Sequence, residues 1–263
     1  MRLLLPVILL TLILACNETP QPQQADAVQT PRTDTIKPLT DTPIDSLPVI
    51  TLGYADTYEK LPKLKFQSIS ANEFNTLKPV NSFRKTQPSE KDSLLYIVTN
   101  QKRITLKKYN PNKFTEGDNG YTYIGANSSH HLFALTQYSL NEGFTFSHLV
   151  FIDSLTNYRY NLISFGDGGD MMPVTSSSGK YIIYYYNLIF DNLSNIGVLK
   201  LNKDGKPEKY LSEYASGNYP GMKIEEIVWK SDLEFFVKGV RVKAGNVKEN
   251  VEEMPVYYRC VLE

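Results

Sequence analysis

The feature that most constrains the fold is a pattern that recurs about 49 residues further along the chain. Residues 129–135 align with residues 178–184, and the same offset places residues 149–153 over residues 198–202 without a gap. A third copy begins at residue 231. Recurrence at such a period is typical of chains built from repeated supersecondary units.

The residue types within each copy favour strands. Aromatic residues make up 12% of the chain, with 18 Tyr and 12 Phe, and aromatic and β-branched side chains are enriched in sheets. Each unit reads as a strand, a Ser-containing turn, a second strand, a loop, a third strand, a polar turn and a fourth strand. The sequence therefore predicts an all-β domain, preceded by a hairpin over residues 94–98 and 104–109. The only helix predicted follows Ser70, which forms a capping box with Glu73.

This order of strands and turns resembles the blades of β-propellers of the TolB-like and quinoprotein-like kind. The turn at residues 178–180 would lead into a second strand, and the turn at residues 202–205 would link a third strand to a fourth. The pattern departs from that family at residues 129–131, which lack the usual glycine. The resemblance implies a small propeller-like domain of four to five blades, and an open or two-sheet β fold is the structural alternative.

The third copy ends after its third strand, so its fourth strand must come from elsewhere. Val49–Leu52 is the apolar run nearest the start of the domain. We expect it to complete the last sheet, because pairing both termini in one sheet would remove an exposed edge.

The first 16 residues have the order of an export signal. Arg2 precedes a largely apolar run, residues 3–14, that is too short to cross a bilayer, which takes roughly 20 residues. The closing residues 13–16, Ile-Leu-Ala-Cys, resemble the lipobox of bacterial lipoproteins. The resemblance implies that residues 1–15 are removed as a signal peptide and that Cys16 carries the lipid. An ordinary signal peptide followed by an unmodified cysteine is the alternative.

The expected domain organisation follows from the proline content after Cys16. Residues 16–48 are predicted to be a lipidated cysteine and a disordered Pro/Thr-rich linker, and residues 49–263 an all-β domain. Asn17 lacks the aspartate that retains some lipoproteins in the inner membrane, so the outer membrane is favoured, on its periplasmic face or at the cell surface. Thr35 and Ser46 lie in triplets that resemble an O-glycosylation acceptor of exported bacterial proteins.

The composition argues against several kinds of partner and cofactor. Lys+Arg and Asp+Glu both number 28, and no basic run is dense enough for a nucleic-acid surface. Cys260 has no partner in a mature chain whose Cys16 is lipidated, so no internal disulfide is expected, and Cys260 is expected to be a buried thiol. Neither a zinc-binding spacing nor a phosphate-binding loop occurs, so no metal and no cofactor are predicted.

Two sequence clusters are candidate ligand-binding positions. Asp167 and Asp170 lie in a Gly-rich segment between two units, which in a propeller would border the central channel. Tyr184 and Tyr186 share one face of a predicted strand, and either they present their rings to a partner or they fill space between blades. The adjacent His130 and His131 fall at the turn position of the repeat and are expected to be loop residues.

The sequence favours a lipid-anchored, monomeric envelope protein whose β domain binds a protein or a glycan. No catalytic residues can be assigned, since no Ser-His-Asp order stands out and no two carboxylates are marked as a pair. The first alternative is an immunity-type lipoprotein that inhibits a toxin. The second is an enzyme acting on polysaccharide, which would need a cleft holding two carboxylates.

Overall fold

β-Strands dominate the computed structural model of the chain, which describes residues 39–79, 82–100, 102–162, 172–188, 193–242 and 253–263. The strands are β1 (Thr40–Pro43), β2 (Val49–Leu52), β3 (Lys65–Ser68), β4 (Ser89–Lys91), β5 (Leu94–Val98), β6 (Lys102–Lys107), β7 (Asn119–Asn127), β8 (Leu132–Asn141), β9 (Phe144–Asp153), β10 (Arg159–Leu162), β11 (Val174–Thr175), β12 (Tyr181–Leu188), β13 (Leu193–Leu201), β14 (Leu211–Pro220), β15 (Met222–Ser231), β16 (Glu234–Val242) and β17 (Glu253–Val261). The α-helices are α1 (Ala55–Lys60) and α2 (Ala71–Phe74), and the 3-10 turns are η1 (Ile44–Ser46), η2 (Pro111–Lys113), η3 (Ser128–His130) and η4 (Pro207–Lys209). No helix in these ranges combines the length and the apolar character needed to cross a membrane.

The strands form four sheets, numbered here in chain order. The first sheet has the order β1-β6-β5-β4 and the second β2-β10-β9-β8-β7. The third has the order β11-β12-β13-β14 and the fourth β15-β16-β17-β3. Among the described strands none of these sheets closes on itself. The all-β prediction is confirmed, and so is the hairpin of β5 and β6, in which Leu95 pairs with Leu106.

The third sheet is buried on both faces, because β12 sends alternate side chains in opposite directions. Ile182, Tyr184 and Tyr186 pack with residues of the second sheet such as Leu132 and Phe151. The intervening side chains on the other face pack with the fourth sheet around Trp229 and Phe235; they are Tyr181, Ile183 and Tyr185. An uninterrupted apolar and aromatic run is what a strand needs when it is covered on both sides.

A further buried cluster joins the first sheet to the second. Leu95 and Ile104 from the first sheet meet Leu135, Val150 and Ile152 from the second. The three clusters therefore link the sheets in the order first, second, third and fourth. Within the described part of the chain no buried cluster joins the fourth sheet to the first.

The two outer faces of this series are covered differently. Phe74 of α2 packs on Val228 and Phe236 of the fourth sheet. The outer face of the first sheet mixes apolar and charged side chains: Val98 is 54% exposed and pairs with Arg103, and Tyr96 is half-buried. The fourth sheet therefore has a helix on its outer face, whereas the first sheet presents a mixed and partly exposed face.

Residues 40–68, here called the N-terminal strap, contribute backbone pairing to all four sheets in turn. β1 pairs with β6 of the first sheet, and β2 pairs with β10 of the second. The amide of Leu64 then donates to Ser216 O in β14 of the third sheet (2.8 Å), and β3 pairs with β17 of the fourth. The strap therefore adds backbone pairing to each sheet in turn; outside it, backbone hydrogen bonds such as Asn100 N to Ser154 O (2.9 Å) also join the first sheet to the second.

The prediction that Val49–Leu52 completes the last sheet is wrong. Val49–Leu52 is β2, which runs parallel to β10, whereas Lys65–Ser68 supplies the fourth strand of the last sheet. Packing decides between them: Ile50 joins the cluster between the second and third sheets, and the Phe66 ring contacts that of Tyr258 of the fourth sheet at 6.2 Å between centroids.

The boundary predicted at residue 49 is also too late. Ile44 and Leu47 are 2% and 3% exposed and belong to the cluster between the first and second sheets. Asp45 between them accepts a hydrogen bond from Nη1 of Arg159 at 2.8 Å. The Pro- and Thr-rich composition conceals these contacts, because only two apolar side chains are needed to attach so short a segment. The earlier part of the predicted linker lies outside the described residues.

The predicted helix forms, and a second one accompanies it. Ser70 Oγ accepts from the amide of Glu73 at 3.1 Å and thereby caps α2. The helix α1 had no such signature, because Tyr54 at its N-cap makes no side-chain capping bond.

Candidate ligand-binding site

Several turns of the second and third sheets lie at one end of the stack. In an antiparallel sheet the turn after the first strand and the turn after the third strand emerge at the same end, since neighbouring strands reverse direction. In the second sheet these turns are η3 and residues 154–158; in the third sheet they are residues 176–180 and residues 202–210. Side chains from four turns can therefore meet at the junction of the two sheets.

Asn127 holds η3 against the third sheet. Its Oδ1 accepts from the amide of His130 at 3.2 Å, and its Nδ2 donates to Oγ1 of Thr175 in β11 at 3.1 Å. The residue after η3, His131, has a φ of 55°, in the left-handed region. Because one side chain caps the turn and crosses to the next sheet, the turn is fixed relative to both sheets.

The turn at residues 176–180 is organised by its own serine. Ser176 Oγ accepts from the amides of Lys180 and Tyr181, both at 3.1 Å. Gly179 has a φ of 72°, and a Cβ there would lie 2.3 Å from Cε1 and Nε2 of His130. The glycine is therefore required twice, for its backbone conformation and for the close approach of the imidazole.

His130 is 5% exposed, although it lies in a turn. Burial lowers its pKa, and the nearby charge of Lys203 lowers it further, so the ring is neutral at neutral pH. Its Nδ1 has no hydrogen-bond partner among the described residues. The main-chain carbonyl of His130 accepts from the hydroxyl of Tyr210 at 3.0 Å, which secures η3 to the third sheet a second time.

A cavity of about 520 Å³ opens beside this histidine and is here called the serine cavity. Arg84, Lys203 and His130 line it, together with Asn127 and Thr175. Six serines complete the polar lining, namely Ser82, Ser128, Ser129, Ser176, Ser177 and Ser178. Small-molecule sites commonly fall between about 300 and 1,000 Å³, so the serine cavity has the size of a ligand site.

The backbone of Arg84 is fixed at the edge of the second sheet. Its amide donates to Ala126 O at 2.8 Å, and its carbonyl accepts from the amide of Ala126 at 2.9 Å. Gly125 allows this approach, because a Cβ there would lie 2.9 Å from Arg84 O. The guanidinium is thus carried to the serine cavity by a paired backbone.

A second cavity of about 320 Å³ adjoins the first and shares Ser129, His130 and Lys203 with it. It is here called the smaller cavity, and Asp153 is the carboxylate in its lining. Asp153 Oδ1 accepts from the amide of Leu155 at 2.8 Å, and Oδ2 accepts from Oγ1 of Thr156 at 2.5 Å. Both carboxylate oxygens are therefore occupied in shaping the turn.

Tyr184 and Tyr186 do not line either cavity. They are 2% and 3% exposed, and their rings fill space between sheets because β12 is covered on both faces. Of the two roles expected for them, the structure favours the filling of space between sheets. Asp167 and Asp170 lie outside the described residues.

The predicted modification sites are only partly within the structure. Ser46 is exposed in η1, and its hydroxyl donates to Pro43 O at 2.7 Å. Its glycosylation stays a prediction. Cys16 and Thr35 lie outside the described residues.

Sequence reasoning placed His130 in a turn but did not recognise its burial or the cavities beside it. The offset of about 49 residues aligns His130 with Gly179, and these two residues are in contact in the structure. The missing glycine at residues 129–131 was the available signal. A bulky residue at a position where the other copy carries glycine indicated a special contact between the copies.

No protein family, no curated protein and no solved structure matches this chain.

Proposed function

We propose that the chain is an envelope lipoprotein whose β domain binds a ligand at the junction of the second and third sheets. The observation that carries the proposal is the pair of adjoining cavities that share Ser129, His130 and Lys203. Turns fixed on a rigid scaffold are the usual location of binding residues.

The lining of the two cavities favours binding over catalysis. Asp153 is the one carboxylate among the described lining residues, and both its oxygens already accept hydrogen bonds. Glycoside hydrolysis commonly needs two carboxylates facing one substrate. The cationic and hydroxyl groups of the serine cavity are instead suited to recognising a polar ligand.

For the architecture we propose a short, open series of four propeller-like blades. Three buried clusters connect four sheets in chain order, and each sheet is built mainly from strands adjacent in sequence. The helix on the fourth sheet, and the lack of a buried cluster between the described parts of the fourth and first sheets, favour an open series over a closed ring. In a closed ring, contact between the first and last blades helps to hold the blades together. In an open series, backbone pairing by the strap would supply part of that stabilisation.

The membrane tether is proposed from the sequence alone. The lipobox-like residues 13–16 would place lipid on Cys16, and the Pro-rich segment after it would let the domain stand away from the bilayer. Residue 17 is asparagine and not the aspartate that retains some lipoproteins in the inner membrane, which favours anchoring in the outer membrane.

Capture from an envelope extract tests the binding function. The full mature chain, its Ser177→Trp variant and its Asn112→Trp variant are immobilised, and the material that each retains is identified by mass spectrometry. Ser177 lines the serine cavity, so a tryptophan there should obstruct it. Asn112 is exposed in η2, so Asn112→Trp adds the same indole away from the cavity.

We expect a species retained by the wild type and by Asn112→Trp and lost with Ser177→Trp. Retention of the same species by all three proteins would place binding elsewhere, and retention of none by the wild type would contradict the binding function. Circular dichroism of each variant confirms that the sheets are intact.

A further inference from the structure

We propose that the serine cavity recognises an anionic group, a phosphate, sulfate or carboxylate carried by a small ligand. This inference rests on the proposed binding function and names the chemistry of the ligand. It is drawn from the charges, the hydroxyl groups and the buried histidine that line the cavity.

The charge of the lining is of one sign. Arg84 and Lys203 line the serine cavity, and among its described lining residues none is Asp or Glu. Within the described ranges neither side chain makes a hydrogen bond or an ion pair. Some cations elsewhere are paired, as Lys107 is with Asp118 at 2.5 Å and Lys108 with Glu90 at 2.6 Å, so what distinguishes Arg84 and Lys203 is that both face one cavity. Two unpaired cations facing one cavity favour a negative ligand.

The serine hydroxyls add donors to this charge. Ser82 Oγ accepts from the amide of Thr175 at 3.0 Å, and Ser176 Oγ accepts from two amides of its own turn. Ser176 also makes a side-chain hydrogen bond to Asp232, so of these two hydroxyls it is Ser82 whose O–H can donate to a ligand. Ser177, exposed at the tip of the same turn, supplies another hydroxyl.

Asp232, a carboxylate that does not line the serine cavity, binds the turn at residues 176–180. Asp232 of the fourth sheet accepts from the amide of Ser178 at 3.1 Å and from the Ser178 hydroxyl. These bonds hold the turn at residues 176–180 in place, and Asp232 itself does not line the cavity. Asp153 borders only the smaller cavity, where both its oxygens are occupied.

The buried histidine is a second, independent indication of a ligand. His130 lines both cavities and is 5% exposed, and its Nδ1 has no partner among the residues described. Buried polar atoms are nearly always satisfied, so an unpartnered one beside a cavity indicates a group still to be bound. A neutral imidazole carries one N–H group, which can donate to an anion.

The volume indicates a ligand larger than a single ion. The serine cavity measures about 520 Å³, and it shares Ser129 and His130 with the smaller cavity. The anionic group would lie between Arg84 and Lys203, and the rest of the ligand would extend toward Tyr210. The smaller cavity is more apolar than the serine cavity, because Leu155 and Pro207 line it.

Isothermal titration calorimetry of the full mature chain tests the inference, with inorganic phosphate and sulfate as anionic probes and glucose as a neutral one. The variants are Arg84→Gln and Lys203→Gln, which remove one charge each at nearly constant length. The matched controls are Lys85→Gln and Lys206→Gln, neighbours in sequence that do not line the serine cavity.

We expect phosphate or sulfate to bind, with an affinity that falls as salt is added. Each cavity variant should weaken binding about tenfold or more, as expected for loss of one charge-assisted hydrogen bond, and the controls should change it less than twofold. Binding of glucose but of neither anion would overturn the inference, and so would anion binding that all four variants leave unchanged.

The outcome is separable from that of the capture experiment. If Ser177→Trp abolishes capture while no anion binds, the binding function stands and the anionic chemistry is wrong. If capture is also insensitive to Ser177→Trp, both proposals fail.

Discussion

Replacing Tyr58 by phenylalanine should loosen the strap where it crosses the third sheet. Tyr58 lies on α1 and is 5% exposed. Its hydroxyl is 3.1 Å from Ile196 O, 2.9 Å from Gly217 O and 2.8 Å from Oδ1 of Asn218. Ile196 lies on β13, and Gly217 and Asn218 lie on β14. One hydroxyl therefore attaches the helix to two strands.

The magnitude follows from what the substitution removes. The ring remains, so little apolar burial is lost and the cavity is no larger than one oxygen atom. A buried hydrogen bond contributes about 1 kcal/mol net, and acceptors left unsatisfied in the interior add about 1–3 kcal/mol. We expect the free energy of unfolding to fall by about 2 kcal/mol, or about 4–8 °C in melting temperature for a domain of this size.

Urea denaturation of the full chain measures the effect, with Tyr54→Phe as the control. Tyr54 precedes the same helix and is 52% exposed, so its substitution should change stability by less than about 0.5 kcal/mol. Amide hydrogen exchange should also become faster in α1 of Tyr58→Phe. Equal midpoints for the two variants would refute the reasoning that the hydroxyl holds the strap to the third sheet.

Three further predictions concern packing, pH and the tether. Gly197→Ala should lower the free energy of unfolding by about 1–3 kcal/mol, because its Cβ would lie 2.3 Å from Cε1 and Cζ of Tyr184; an unchanged urea midpoint would show that the ring moves aside freely. The hydrogen bond from Lys107 lowers the pKa of Asp118 to about 2, so its stabilisation is present above about pH 4 and is lost as pH falls toward 2. Asp118→Asn should therefore flatten the pH dependence of unfolding between pH 4 and 2, and an unaltered slope would contradict this. Cys16→Ser should abolish partitioning into a detergent phase, whereas unchanged partitioning would argue against lipidation.

The strands were predictable because their signals are local. Apolar alternation and β-branched or aromatic residues mark the hairpin of β5 and β6, and the Ser70 capping box marks α2. The repeat placed β8 and β12 in equivalent positions, and their first residues, Leu132 and Tyr181, are about 49 residues apart in the structure. Each of these features depends on residues that are close in sequence.

The candidate site was less predictable, because its parts come from different sheets. His130 contacts Gly179, and Arg84 and Lys203 reach the same cavity from segments far apart in the chain. Isolated serines and lysines in turns resemble ordinary surface residues, so only their convergence marks a site. The tyrosines of β12 stand out in the sequence because they form a dense aromatic cluster. That cluster reflects burial of the strand on both faces and not a binding site.

By itself the sequence determined the all-β class, the hairpin of β5 and β6 and the capped helix α2, since each follows from side-chain alternation or a hydrogen bond between near neighbours. Tertiary structure alone decided that β3 and not β2 completes the fourth sheet, and that residues 40–47 belong to the fold. Short apolar strands of similar composition compete for the same edges. The outcome depends on which side chains find a complementary surface, and that surface exists only once the sheets are assembled.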